Sequence, residues 1–196
     1  PPGHRSEMPA DALVARAEAF RAADGAYSTE PGLDEGSGYG CFLAVGTYQD
    51  CGRDLPDPAA LLTCVHRMRA ADGGYSTQPG AATGLTPGTA AAVTLFRQFG
   101  EPVPPGTAEW LLSRCRPEGG FFALPEAPLP DLLSTATALH ALSGVQANLD
   151  PVREPCLDFL DSLWTNRGGF HGTWADDDLD VEYTFYGLLA LGHLTV

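Results

Sequence analysis

An all-α fold of about four helix pairs stacked side by side is what this 196-residue sequence predicts, and three observations predict it. A nine-residue element, Asp24-Gly25-Ala26-Tyr27-Ser28-Thr29-Glu30-Pro31-Gly32, returns as Asp72-Gly73-Gly74-Tyr75-Ser76-Thr77-Gln78-Pro79-Gly80. Shorter forms follow at Glu118-Gly119-Gly120-Phe121 and Arg167-Gly168-Gly169-Phe170, so the turn aromatics stand 48, 46 and 49 residues apart. A fixed period of that size marks a repeat architecture. Finally, apolar residues recur at helical spacing on both sides of each glycine turn, with no alternating strand pattern anywhere.

Each unit begins with an outer helix. Its apolar face reads Leu13/Ala17/Phe20, Leu61/Val65/Met68, Ala108/Leu111/Leu112/Cys115 and Leu157/Leu160/Trp164 in the four units. Asp57-Pro58 and Asp150-Pro151 each offer a cap acceptor followed by proline at the first helical position. The glycines supply the left-handed backbone that a helix reversal needs. The aromatic after them (Tyr27, Tyr75, Phe121, Phe170) is expected to pin the turn onto the helix pair. Inner helices then follow at about 38–48, 87–99, 131–143 and 180–194. Their small residues, as in Thr89-Ala90-Ala91-Ala92-Val93 and Ser134-Thr135-Ala136-Thr137-Ala138, allow close helix approach and suit an inner layer.

Composition narrows the function. With 44% hydrophobic and 18% charged residues the chain is neither disordered nor collagen-like. It lacks the ~20 consecutive apolar residues of a membrane span. Twenty-five acids against eleven basic residues, all of them Arg, give a net charge of −14. That balance argues against nucleic acid and anionic membrane as partners, because both need a cationic footprint. The opening Pro-Pro-Gly-His-Arg-Ser-Glu has no basic-then-apolar signal pattern. Residues 1–7 read as an added or flexible N-terminus with Met8 as the start, and 8–196 as a single repeat domain. Five cysteines (Cys41, Cys51, Cys64, Cys115, Cys156) form no CxxC and cannot all pair, which predicts a reduced, cytoplasmic protein.

The helix pair, the Gly-Gly-aromatic turn and the period together resemble the prenyltransferase and squalene-cyclase repeat of the terpenoid cyclase superfamily. The run from Gly168-Gly169-Phe170 through Asp180-Val181-Glu182-Tyr183-Thr184-Phe185-Tyr186-Gly187-Leu188 is most similar to protein prenyltransferase β subunits. The resemblance covers the chain from Met8 onward and implies an α/α toroid, as a partial or small barrel. Rings of that family close with more helix pairs than the four read here. Three arrangements therefore remain open: a piece of a larger ring, a smaller closed ring, and a protomer completed by a homodimer or a partner subunit.

The resemblance also implies a zinc site, an Asp and a Cys in Asp-x-Cys plus a later His. Carried over, the Asp falls on Asp131, but the Cys position is Leu133 and the His position is Tyr183. One carboxylate cannot hold zinc, which takes three or four ligands. The basic diphosphate clamp is missing too, since no Arg lies between Arg116 and Arg153. No metal is therefore expected, and magnesium enters only alongside a bound diphosphate.

Class II terpene cyclases protonate an alkene with the middle Asp of DxDD, and Asp178-Leu179-Asp180 reproduces its first three positions, with Val181 at the fourth. Asp180 becomes the candidate acid, with Asp178 and Glu182 as carboxylates that would help it hold a proton. The plainer reading is that acids here cap a helix and complement its dipole. Asp131, Trp174, Tyr183, Phe185 and Tyr186 are the candidate pocket residues, where aromatic faces would line an isoprenoid site. His140 reads as a core histidine, and His171 and His193 lack a partner at useful spacing.

The expected function is binding of an isoprenoid or other apolar small molecule. Any chemistry would be acid-initiated cyclisation or prenyl transfer without zinc. The alternative is a non-catalytic repeat scaffold for protein–protein interaction or dimerisation.

Overall fold

A computed structural model describes residues 9–195, so the extension read at 1–7 lies outside the described residues. Two units divide between Met68 and Arg69. The first carries α1 (Ala10–Glu18), α2 (Gly38–Asp50) and α3 (Pro58–Arg67). The second carries α4 (Thr86–Gln98), α5 (Thr107–Leu112), α6 (Leu132–Gly144), α7 (Asp150–Leu163), β1 (Trp164–Thr165), β2 (Gly169–Phe170) and α8 (Val181–Leu194). The four inner helices α2, α4, α6 and α8 fall within one or two residues of the expected spans. The outer helices are shorter than their apolar sets, because Phe20, Met68, Cys115 and Trp164 all lie past the helix ends.

Those overhanging residues lead into the turn. Arg21 pairs with Tyr27, Arg69 with Tyr75 and Cys115 with Phe121 as single antiparallel bridges. In the last repeat the same bridge, Trp164 with Phe170, gains a second pair, Thr165 with Gly169. This β1–β2 ladder, two residues a side, is too short to leave an alternating pattern in the sequence. Its cause is local: a chain that doubles back on a glycine turn brings two backbone stretches antiparallel within hydrogen-bond reach. The turn aromatics Tyr27, Tyr75, Phe121 and Phe170 are all buried, as expected of pins.

Gly119 shows why the turn needs glycine. Its φ is +96°, and a Cβ there would stand 1.9 Å from the carbonyl oxygen of Pro155 on α7. The repeated acid has a task of its own. Asp24 accepts the N–H groups of Ala26 and Gly36, and its ion-pair partner is Arg67. Asp72 repeats the pattern with Gly74, Gly84 and Arg114. One carboxylate thus closes the turn and ties it to the end of the next outer helix.

Of the two caps expected on outer helices, Asp57 holds and Asp150 does not. Ser37, Asp57, Asp131 and Asp180 each accept a backbone N–H three residues on. Asp150, expected as a cap, is instead the first residue of α7, and Asn148 Oδ1 accepts its N–H at 3.0 Å. The core of the second unit centres on α6, whose Leu132, Ala136, Leu139 and Leu142 are fully buried among Phe121, Phe159, Leu160 and Phe170. Each such leucine contributes about 1.5–3 kcal/mol relative to exposure.

Candidate functional site

The inner helices of the second unit share one register. Thr89 and Thr135, each fourteen residues past its turn aromatic, accept the N–H of that aromatic at 2.8 and 2.9 Å. Thr184 holds the equivalent position on α8. In this register the positions i, i+4, i+7 escape full burial on each helix: Pro87, Ala91 and Thr94 on α4; Leu133, Thr137 and His140 on α6; Glu182, Tyr186 and Leu189 on α8, where only Gly187, Ala190 and Leu194 are buried. The α6 residues between them are buried. Thr94 and Thr137 donate their hydroxyl protons to the carbonyls of Ala90 and Leu133, at 3.0 and 2.8 Å. Between Ala91 and Thr137 the strip is therefore apolar and short of free donors, whereas Glu182 and His140 bring polar groups to its ends.

Acids crowd the N-terminal end of this strip. Asp131 caps α6, and its two carboxylate oxygens accept from the N–H and the hydroxyl of Ser134, each at 2.7 Å. Burial pushes its carboxyl above the ordinary Asp value against the pull of those bonds. Asp180 caps α8, accepting the Tyr183 N–H at 2.7 Å. The Tyr183 ring lies over Gly172, where a Cβ would be 2.3 Å from it. Burial raises the Tyr183 phenol, and the charges of Asp176, Asp180, Asp131 and Glu182 raise it further. Four negative charges thus act on one phenol in the same direction as its burial.

Of the residues singled out from sequence, the structure brings Asp131, Asp180, Glu182 and Tyr183 together here. Asp178 and Asp180 are exposed, and the Asp178 carbonyl accepts from His171 Nδ1 at 3.0 Å. Trp174 is held elsewhere: its Nε1 donates to Ser162 on α7 at 2.8 Å, and its ring packs edge-on against Phe159. Phe185 is exposed and stacks edge-on with Tyr186, which belongs to the strip.

At the other end of the strip, His140 Nδ1 and His193 Nε2 stand 3.0 Å apart. The two are 53 positions apart in sequence, so no spacing rule joins them. Ser134 as the partner of Asp131 also escaped the sequence reading, although Asp131-x-x-Ser134 is a cap-to-third-position spacing that signals it.

Zinc does not fit these residues. Leu133 has no ligating atom and the Tyr183 phenol is pushed up by burial and neighbouring acids, which leaves Asp131 as a single carboxylate where zinc takes three or four ligands. Among the described residues, no three His, Cys, Asp or Glu side chains group as a metal site. No described helix is long and apolar enough to cross a membrane. All five thiols are free, and Cys115 and Cys156 lie 3.9 Å apart, sulfur to sulfur.

Comparison with known proteins gives the same architecture. No curated protein matches this chain. Among solved structures, Candida albicans protein geranylgeranyltransferase-I, determined with GGPP, superposes with a TM-score of 0.64 at 18% sequence identity. The likeness is one of fold, and it covers 88% of this chain but only 51% of that one. The prenyltransferase alpha-alpha toroid domain matches residues 6–122 and again 105–195, and with nearly the whole sequence accounted for the chain belongs to that family.

Proposed function

We propose that the chain binds an isoprenoid or similarly apolar chain along the strip of α4, α6 and α8, without zinc and in a reducing cytoplasm. The observation that carries this reading is the strip itself. Ala91, Thr94, Leu133, Thr137, Tyr186 and Leu189 form an uncharged, half-buried surface whose threonine protons are already spent. Family membership and the GGPP of the geranylgeranyltransferase-I structure point to the same class of ligand.

The chemistry that suits the acid end is delivery of a proton to an alkene. Asp180, beside Asp178 and Glu182, is one proposed source. Asp131 is the other, since burial favours its protonated form. The aromatic faces of Tyr183 and Tyr186 would then stand near the cation that forms.

Titration with geranylgeranyl diphosphate and with the matching alcohol tests the reading. Saturable binding is expected, weakened at least about tenfold, or about 1.4 kcal/mol, by Thr137→Trp, with an unchanged far-UV circular dichroism spectrum. Chelation of divalent zinc should leave it unaltered. Absence of saturable binding, or indifference to Thr137→Trp, would falsify the proposal. Product analysis separates catalysis from binding: Asp180→Asn or Asp131→Asn should abolish turnover. As a pure cap change, Asp180→Asn should cost no more than about 1 kcal/mol of stability.

A further inference from the structure

The third glycine turn rests directly on α7. A Cβ at Gly119 would stand 1.9 Å from the Pro155 carbonyl oxygen and 3.0 Å from the Cys156 nitrogen. Three backbone bonds close the turn on itself: Arg116 N–H to Gly120, Gly119 N–H to Arg116 and Phe122 N–H to Arg114, at 2.9, 3.0 and 3.0 Å. Cys115 stands at its start, bridged to Phe121. The close approach of the two backbones sets the Cys115 thiol against that of Cys156, sulfur to sulfur at 3.9 Å. These two residues are 41 positions apart and belong to different repeats of the second unit.

The two sulfurs differ in access. Cys156 is fully buried, whereas Cys115 is half-buried and reaches solvent. They also share a proton. The bond from Cys115 draws the Cys156 thiol down, burial opposes it, and the Gly120 N–H adds to the lowering. The same bond and burial push Cys115 up in return. One negative charge is thus favoured on the pair, and passage of the proton across the contact moves that charge from one sulfur to the other. Cys41 and Cys64 also interact thiol to thiol in the first unit, but both are fully buried. They provide an internal comparison with the same chemistry and no access.

From this geometry we infer that Cys115 and Cys156 are a peroxide-oxidised dithiol, a modification site that fastens the third glycine turn to α7. The Cys115 sulfur, which solvent reaches, attacks one oxygen of hydrogen peroxide. The O–O bond breaks, and the other oxygen leaves as hydroxide and takes up the thiol proton as water. The Cys156 sulfur then attacks the sulfur of the Cys115 sulfenic acid. An S–S bond forms, the S–O bond breaks, and the hydroxyl departs with the Cys156 proton as a second water. Two thiols and one peroxide become one disulfide and two waters, and the two electrons lost by the sulfurs reduce the peroxide. Bond formation draws the sulfurs together by about 2 Å, through rotation of the two side chains. The tie lands on the turn whose Phe121 carbonyl accepts the Asp131 N–H at 3.2 Å. A disulfide that forms transiently under oxidant is the kind a reducing compartment permits. This inference goes beyond the ligand-binding reading and does not depend on it.

Peptide mapping by mass spectrometry of the full, folded chain after stoichiometric hydrogen peroxide tests it. The expected product is a Cys115–Cys156 disulfide with Cys41 and Cys64 still free, and dithiothreitol should restore both thiols. In Cys156→Ala, which lacks the second sulfur, dimedone should capture Cys115 as its sulfenic acid. The melting temperature of the oxidised wild type should exceed that of the reduced protein by at least about 4 °C. Peroxide should leave that of Cys115→Ala unchanged. A wild-type chain in which Cys115 and Cys156 both stay thiols overturns the inference. So does passage of Cys115 to the sulfinic acid without a disulfide, or a first disulfide at Cys41–Cys64. An oxidised protein that melts no higher than the reduced one overturns the fastening role.

Discussion

At the residue scale the His140–His193 contact in the second unit is sensitive to pH. Its two nitrogens at 3.0 Å can share a hydrogen bond only while one of them lacks a proton, so two imidazolium rings cannot keep it. Burial holds His140 below its ordinary value of 6.5, and the charges of His193 and Arg97 hold it lower still. Burial also lowers His193. A folded-state pKa below the unfolded one means that the unfolded chain takes up protons first as the pH falls. The contribution of the pair is thus complete above pH 6.5 and is lost as the pH drops through the folded values. Urea unfolding in a pH series should show stability falling between neutrality and about pH 5. The fall should be shallower in His140→Gln. Equal slopes for the two proteins would assign the pH dependence to other groups.

At the element scale the turn and its inner helix act as one piece. Thr135 Oγ1 accepts the buried N–H of Phe121 at 2.9 Å and donates to the carbonyl of Asp131 at 2.7 Å. Thr135→Val keeps the shape but strands that N–H, which should cost about 1–3 kcal/mol. Thr135→Ser should recover most of the loss. Denaturant midpoints at constant slope would measure both. In α2 the same position is Cys41, whose thiol instead donates to the Tyr27 carbonyl at 3.7 Å. This repeated unit was the most legible part of the sequence. The period, the glycine turns and the inner helices follow from residues within one repeat, because their causes are local: φ at Gly119, the caps at Asp57 and Asp131, the helical spacing of small residues. The extent of the outer helices was less legible. Spacing alone extended the third to Cys115, whereas α5 stops at Leu112 and the chain turns into the bridge to Phe121. The site was legible only as a rim of acids. The strip beside it depends on the register between helices, and the His140–His193 and Cys115–Cys156 contacts join residues from different repeats, which no single-repeat pattern encodes.

At the scale of the whole molecule a repeat array is stable in proportion to the neighbours each repeat has. Within the second unit α4, α6 and α8 pack in series, so burial there measures how many sides of a helix are covered. α6 packs against both α4 and α8 and buries eight of its thirteen residues. α8 has α6 and α7 on one side, buries Gly187, Ala190 and Leu194, and leaves Val181, Phe185 and Leu188 exposed. α1 has no buried residue at all. Local opening requires only the contacts of the segment that opens, so amide protection should follow this order. Native-state hydrogen exchange should find the slowest amides in α6 and the fastest helical amides in α1. Within α8 the amides near Ala190 and Leu194 should be slower than those on the exposed stretch before Leu188. Under dilute conditions, where copies of the chain are separate, α1 exchanging as slowly as α6 would contradict this nearest-neighbour account. It would mean that amide protection does not follow the burial of each helix.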